Sequence, residues 1–206
     1  MPYDLFADEP GSTGSSMKIS MPDADVLYFA RLFDPCEANS LFVQLQQNIE
    51  WQQEKIKLYG QLHDLPRLTA WYGDPAVTYS YSGISITSLE WIDALLEIKR
   101  RIENVSDYSF NSVLLNRYRN GSDGVSWHAD NEPELGQNPV IGSVSFGAAR
   151  PFQLKHKTLD ERHKIILENG SYLLMKGGTQ HCWLHQIPKS KRVLGERINL
   201  TFRLIA

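Results

Sequence analysis

Ser126-Trp127-His128-Ala129-Asp130 sets an imidazole and a carboxylate two residues apart. On an extended segment that spacing turns both side chains to one face, so a single stretch of backbone can supply two neighbouring corners of a coordination sphere. A third corner must come from elsewhere. His181 and His185, on a strand expected after Gly177-Gly178, are the candidates. Two histidines and one carboxylate on one face of an octahedron leave three open positions, the arrangement that suits non-haem Fe(II) oxygenases. Zinc competes, because three protein ligands and a water also make a catalytic zinc site.

A second pattern lies near the C-terminus, in Arg197-Ile198-Asn199-Leu200-Thr201-Phe202-Arg203. Strand alternation puts Arg197, Asn199, Thr201 and Arg203 on one face and Ile198, Leu200 and Phe202 on the other. A polar face of this kind is commonly just the wet side of an antiparallel sheet. Two guanidiniums in a row are also a dicarboxylate site, since arginine forks bind carboxylates bidentately. 2-Oxoglutarate is such a ligand. Its keto-acid end can chelate iron at two open positions and leave the third for oxygen.

The elements that must position these groups are mostly short strands. Segments near 54–59, 67–72, 78–86, 112–118, 140–146, 151–155, 164–168, 171–175 and 196–205 are rich in Val, Ile, Tyr and Phe and are separated by Gly, Pro or Asn/Asp. Asp34-Pro35 reads as an N-cap and first helical residue, with Leu41, Phe42, Leu45 and Ile49 at helical spacing over 35–49. Thr87 and Glu90 are spaced as a capping box ahead of Ile92, Leu95, Leu96, Ile98 and Ile102. Two helices, many strands and no βαβ alternation predict a mainly β protein with a jelly-roll double sheet backed by those helices.

Composition bounds the rest. Five acids against Lys18 give the first 25 residues a net charge of −4, so the total of −3 leaves +1 for the remaining 181. Residues 1 to about 24 therefore read as a flexible acidic tail. Basic clusters at Lys99-Arg100-Arg101, Arg117/Arg119, Lys155-His156-Lys157 and Lys189/Lys191/Arg192 are either solvated faces or a local phosphate-binding surface. Cys36 and Cys182 are too few for a disulfide framework and read as reduced and structural. No apolar run has the length of a membrane span and no signal peptide is evident, so a cytoplasmic place is expected, or a nuclear one in a eukaryote. No heptad or sticky strand calls for association, and a monomer is expected.

Taken together, His128, Asp130, His185 and the arginine strand resemble the AlkB family of Fe(II)/2-oxoglutarate nucleic-acid dealkylases, most of all its DNA-repair branch. Pro66 to Asp74, Thr78 to Gly83, Asn116-Arg117-Tyr118 and Ser143 to Ala148 extend the resemblance over most of the chain from about residue 25. It implies one dioxygenase domain over 25–206, with a nucleotide-recognition region at about 51–86. The implied activity is oxidative removal of methyl groups from bases such as 1-methyladenine and 3-methylcytosine. Oxygen and 2-oxoglutarate would become succinate and carbon dioxide, while the hydroxylated methyl group leaves as formaldehyde. RNA is the alternative substrate, and a non-catalytic jelly-roll binding module is the alternative outside catalysis.

The resemblance makes His128, Asp130 and His185 the iron ligands, His185 because the branch sets its last ligand 12 residues before the first arginine, here Arg197. Arg197 would meet the distal carboxylate of 2-oxoglutarate, helped by Asn116 and Tyr118. Arg203 and Asn199 would serve the iron end, with Thr201 lining the pocket. A target base must leave the stack to be reached. Tyr81 and the His128 ring match the family's stacking pair, and Tyr79 and Glu132 match contacts to the base edge. Arg67 and Trp71 fall in the same recognition region, although sheet packing suits Trp71 equally well. Asn131 departs from the acid usual in the DNA branch, which leaves fine base selectivity open. Leu58-Tyr59-Gly60 resembles an aromatic finger inserted into duplex DNA, an edge-strand role for Tyr59 being the alternative. Tyr3-Asp4-Leu5-Phe6 resembles bacterial sliding-clamp-binding peptides, against the simpler reading of an inert tail.

Overall fold

The computed structural model describes residues 15–58, 60–75, 78–81 and 84–205. Two short strands open the chain, β1 (Met17–Ile19) and β2 (Asp25–Phe29), paired with Lys18 opposite Leu27. β1 lies inside the stretch expected to be tail, so ordered structure starts before the boundary at 24. Ile19 packs on the core and anchors that edge strand.

Helix α1 (Pro35–Asn48) starts as its sequence predicts: Asp34 Oδ1 accepts from the backbone N–H groups of Cys36 and Glu37 at 2.8 and 2.9 Å. Strands β3 (Lys55–Leu58) and β4 (Gln61–Asp64) form one hairpin, and β5 (Leu68–Gly73) follows. The single strand expected over 78–86 is instead a hairpin of β6 (Thr78–Tyr81) and β7 (Ile84–Thr87). Helix α2 (Asp93–Ser106) begins later than the Thr87/Glu90 pair predicts, and its N-cap, Ile92, has no side-chain hydrogen bond. Leu89 explains this. It donates to Trp71 O and accepts from Gly73 N, both at 3.0 Å, so the chain remains extended beside β5.

The remaining strands are β8 (Ser112–Tyr118), β9 (Val125–His128), β10 (Ile141–Gly147), β11 (Arg150–His156), β12 (Arg162–Leu167) and β13 (Ser171–Lys176). After Gly177-Gly178 the chain forms a short helix, α3 (Thr179–Cys182), and only then β14 (Trp183–Ile187) and β15 (Arg197–Arg203). His181 is therefore helical, and His185 alone of the two candidates lies on the strand.

Seven strands form one sheet in the order β1-β2-β13-β10-β15-β8-β5, and four form another in the order β12-β11-β14-β9. This is the expected double-stranded β-helix. Its outer core joins Leu41 and Leu45 of α1 and Leu95, Ile98 and Ile102 of α2 to Ile198, Leu200 and Phe202 of β15. Burial of such side chains stabilises by about 1.5–3 kcal/mol each. A second cluster, including Phe152, Leu154, Leu173, Met175 and Trp183, draws on both sheets. All seven β15 residues are buried, so its polar face is not a wet surface. It lines a cavity.

Candidate active site

His128 ends β9 and lies opposite His185 of β14, with ring centroids 4.2 Å apart. His128 Nδ1 meets the Ser126 carbonyl at 2.8 Å. A carbonyl only accepts, so Nδ1 carries the proton and Nε2 keeps its lone pair for a metal. Asp130 follows beyond the strand, its Oδ1 3.9 Å from His128 Nε2 and its Oδ2 3.9 Å from His185 Nε2. One ligand atom from each residue lies within 4.8 Å of the others. Burial lowers the pKa of His185 to about 3, reinforced by His128, so its imidazole is neutral near pH 7. Burial opposes ionisation of Asp130, but Arg203 and the two histidines outweigh it and hold its carboxyl below the ordinary value. Two imidazoles and a carboxylate form the donor set expected for Fe(II).

His181 points elsewhere: its Nε2 meets the carbonyl of Gln137. A second three-residue group, Asp23, His156 and Cys182, also has ligand atoms within 4.8 Å. There His156 Nδ1 accepts from the backbone N–H groups of Leu159 (2.9 Å) and Thr158 (3.2 Å). Its Nε2 lies 3.4 Å from Asp23 Oδ2 but is buried without a hydrogen-bond partner. His156 Nδ1 is thus committed to the β11–β12 turn and is not free to bind a metal.

The triad opens into a cavity of about 1040 Å³ that is also lined by Asn116, Tyr118, Arg197, Asn199, Thr201 and Arg203. Arg203 Nη2 donates to Asp130 Oδ1 at 2.9 Å. Asn199 Nδ2 donates to Ser143 Oγ and Val144 O, both at 2.9 Å, and its Oδ1 accepts from Thr201 Oγ1. Arg197 lies opposite Tyr118 in the β8–β15 register, with its guanidinium 5.1 Å from the centre of that ring. Its Nη2 donates to Ser145 Oγ at 2.9 Å, while Nε and Nη1 are buried with no hydrogen-bond partner. Burial lowers the pKa of Arg197 to about 10, Tyr118 opposing and Arg150 reinforcing, so it still bears a charge at neutral pH. A buried cation with spare donors calls for an anion, and a carboxylate fits.

Arg67, Trp71 and Glu132 line the same cavity. Arg67 Nε donates to Asn116 Oδ1 at 2.7 Å, which ties the recognition region to β8. Glu132 Oε2 is buried with no hydrogen-bond partner. Tyr59, the side chains of Tyr79 and Tyr81, and residues 3–6 lie outside the described structure. Gln180 had no sequence signal, and Ser143 and Ser145 lie in the Ser143–Ala148 stretch but were given no role by the sequence. Gln180 of α3 accepts the Asp130 N–H at 2.9 Å; Ser143 and Ser145 hold the polar face of β15.

The model of the 2OG-Fe(II) oxygenase superfamily matches residues 25–203, a span that contains the triad and both arginines. The chain belongs to that superfamily and, within it, to the AlkB family of Fe(II)/2-oxoglutarate-dependent dioxygenases, which use Fe(II), 2-oxoglutarate and O2. It is similar to the DNA oxidative demethylase ALKBH2 of Mus musculus, 38% identical over 219 residues that cover 96% of this chain and 91% of that protein. It is similar also to the alpha-ketoglutarate-dependent dioxygenase alkB homolog 3 of Bos taurus, 43% identical over 179 residues, 82% of this chain and 62% of that protein. The chain thus spans less than two thirds of the bovine relative. The solved structure of OsALKBH1 superposes with a TM-score of 0.63 at 16% identity, covering 90% of this chain and 100% of that one, a likeness of fold.

Proposed function

We propose that this dioxygenase removes N-alkyl groups, such as those of 1-methyladenine and 3-methylcytosine, from DNA, reversing alkylation damage with release of formaldehyde. One observation carries the reading: the triad, the partnerless donors of Arg197 and the recognition-side residues Arg67, Trp71 and Glu132 share a single cavity. The names of the mouse and bovine relatives support it.

In this reading His128, Asp130 and His185 hold Fe(II), which when bound supplies the chemistry that activates oxygen. Arg197, with Asn116 and Tyr118, grips the distal carboxylate of 2-oxoglutarate. Arg203, Asn199 and Thr201 serve the end nearer the metal. Arg203 also keeps Asp130 ionised and fixed in direction. Glu132 presents an unpaired acceptor to the edge of a flipped base, whose exocyclic amine can donate to it. Arg67, Trp71, Tyr59, Tyr79 and Tyr81 complete the substrate side, and the His128 ring forms one wall of the base slot.

Formaldehyde and succinate are to be measured with matched methylated DNA and RNA oligonucleotides, single- and double-stranded. Formaldehyde in step with succinate on DNA supports the reading. Turnover confined to RNA replaces it with RNA demethylation, and 2-oxoglutarate turnover with neither nucleic acid rejects it.

A further inference from the structure

Arg150 is fully buried at the start of β11, yet among the described residues it has no carboxylate within 4 Å. Its Nη1 donates to Asn120 O at 3.2 Å, and its Nη2 donates to Asp123 O at 2.9 Å and Pro188 O at 2.8 Å. Its Nε has no partner. These three carbonyls belong to two loops, the β8–β9 turn and the segment after β14. The loops meet closely: a Cβ on Gly124 would lie 2.6 Å from Ile187 O, so only glycine allows the approach. Arg150 therefore pins both loops at one point.

The same guanidinium lies 5.7 Å from the centre of the Tyr118 ring, and Arg197 lies 5.1 Å from that centre. Two buried cations share one aromatic ring, and among the described residues neither forms an ion pair. A buried positive charge costs several kcal/mol unless something offsets it. Carbonyl dipoles and the ring offset part of the cost at Arg150, whereas Arg197, which lines the cavity, keeps two buried donors without a hydrogen-bond partner. A dianionic ligand is the missing complement of this pair. A monoanion held only at the metal would leave it uncompensated.

We propose that Arg150 is a positioning residue for the distal carboxylate of 2-oxoglutarate: it fixes Tyr118 beneath Arg197 and adds the charge that makes the pocket select a dicarboxylate. It acts through Tyr118 and Arg197 and touches no ligand itself. The pKa of Arg197, lowered in part by Arg150, agrees with this.

The test is calorimetric binding to the full chain loaded with Mn(II), a redox-inert stand-in for iron. The probes are 2-oxoglutarate and 2-oxopentanoate, which has a methyl group where the distal carboxylate would be. For Arg150→Met the expected result is at least a tenfold loss of affinity for 2-oxoglutarate and less than a twofold loss for 2-oxopentanoate. Equal losses for both probes, or no loss for either, would overturn the proposal, because a merely structural role does not discriminate by the distal group. Where Arg150→Met does not fold, Arg150→Lys is read by the ratio. A loss at least threefold larger for 2-oxoglutarate supports the proposal, and any smaller difference overturns it.

Discussion

Arg203 Nη2 and Asp130 Oδ1 are 2.9 Å apart and both side chains are buried, so β15, the strand proposed to hold 2-oxoglutarate, also holds the carboxylate of the His128–Asp130–His185 triad. The two halves of the site are one electrostatic unit. Arg203 keeps Asp130 ionised, and Asp130 offsets the buried charge of Arg203. Arg203→Met strands a buried carboxylate, and unfolding in urea should show a loss of about 3–5 kcal/mol in the metal-free protein. Bound Mn(II) should raise the midpoint of the variant more than that of the parent, since the ion supplies the missing positive charge. An unchanged metal-free stability would contradict this.

Arg197 behaves differently because among the described residues no carboxylate pairs with it. Arg197→Met should leave metal-free stability unchanged or raised, since it removes a buried cation and two unsatisfied donors. It should also weaken 2-oxoglutarate binding by about 2–5 kcal/mol. Calorimetry beside thermal unfolding separates the two effects. A variant that unfolds easily yet binds 2-oxoglutarate normally would contradict the assignment.

Gln180 holds the backbone of Asp130 from a different element, α3. Gln180→Ala leaves that N–H buried and unpaired, a cost of about 1–3 kcal/mol. Loss of such outer support lowers metal affinity by roughly 10–100-fold in other sites. Mn(II) titration followed by electron paramagnetic resonance should show a drop of that order. Parent-like affinity would leave Gln180 with a folding role alone.

Asp123 accepts from Arg119 Nε at 2.8 Å, Nη2 at 2.9 Å and backbone N at 2.9 Å. Burial would raise its pKa, but the Arg119 contacts outweigh burial and hold it below its usual 3.8. A depressed carboxylate contributes stability above its unfolded pKa and loses it as pH falls through its folded pKa. The parent should therefore exceed Asp123→Asn by about 1.5–3 kcal/mol at pH 7. The gap should start to close as pH falls through 3.8 and shrink further below it. Urea midpoints measured from pH 7 down to the acid limit of folding check the sign, and a gap that widens toward acid would refute it.

The parts of the site legible in sequence are those whose geometry follows from strand period alone. His128 and Asp130 share a face by a two-residue offset, and Arg197 to Arg203 share one by alternation. That β15 is buried on both faces was not legible, because burial of its polar face depends on the opposing β11–β14 sheet. α1 was readable through Asp34. The start of α2 was not, since Leu89 bridges to β5 and holds the chain extended past the apparent capping box. β4 was not legible because all four of its residues, Gln61 to Asp64, are exposed and leave no apolar face to read. Arg150 and Gln180 left no motif because their partners are backbone groups distant in sequence.

The metal centre is tested most directly by comparing His185→Ala with His181→Ala, scoring formaldehyde released from a 1-methyladenine oligodeoxynucleotide against succinate formed. His185 lies 3.9 Å from Asp130, whereas His181 bonds the Gln137 carbonyl outside the triad. His185→Ala is expected to lose both products, and His181→Ala to form both in parent amounts and in equal yield. Retention of turnover by His185→Ala, or its loss in a folded His181→Ala, would contradict the assigned metal centre.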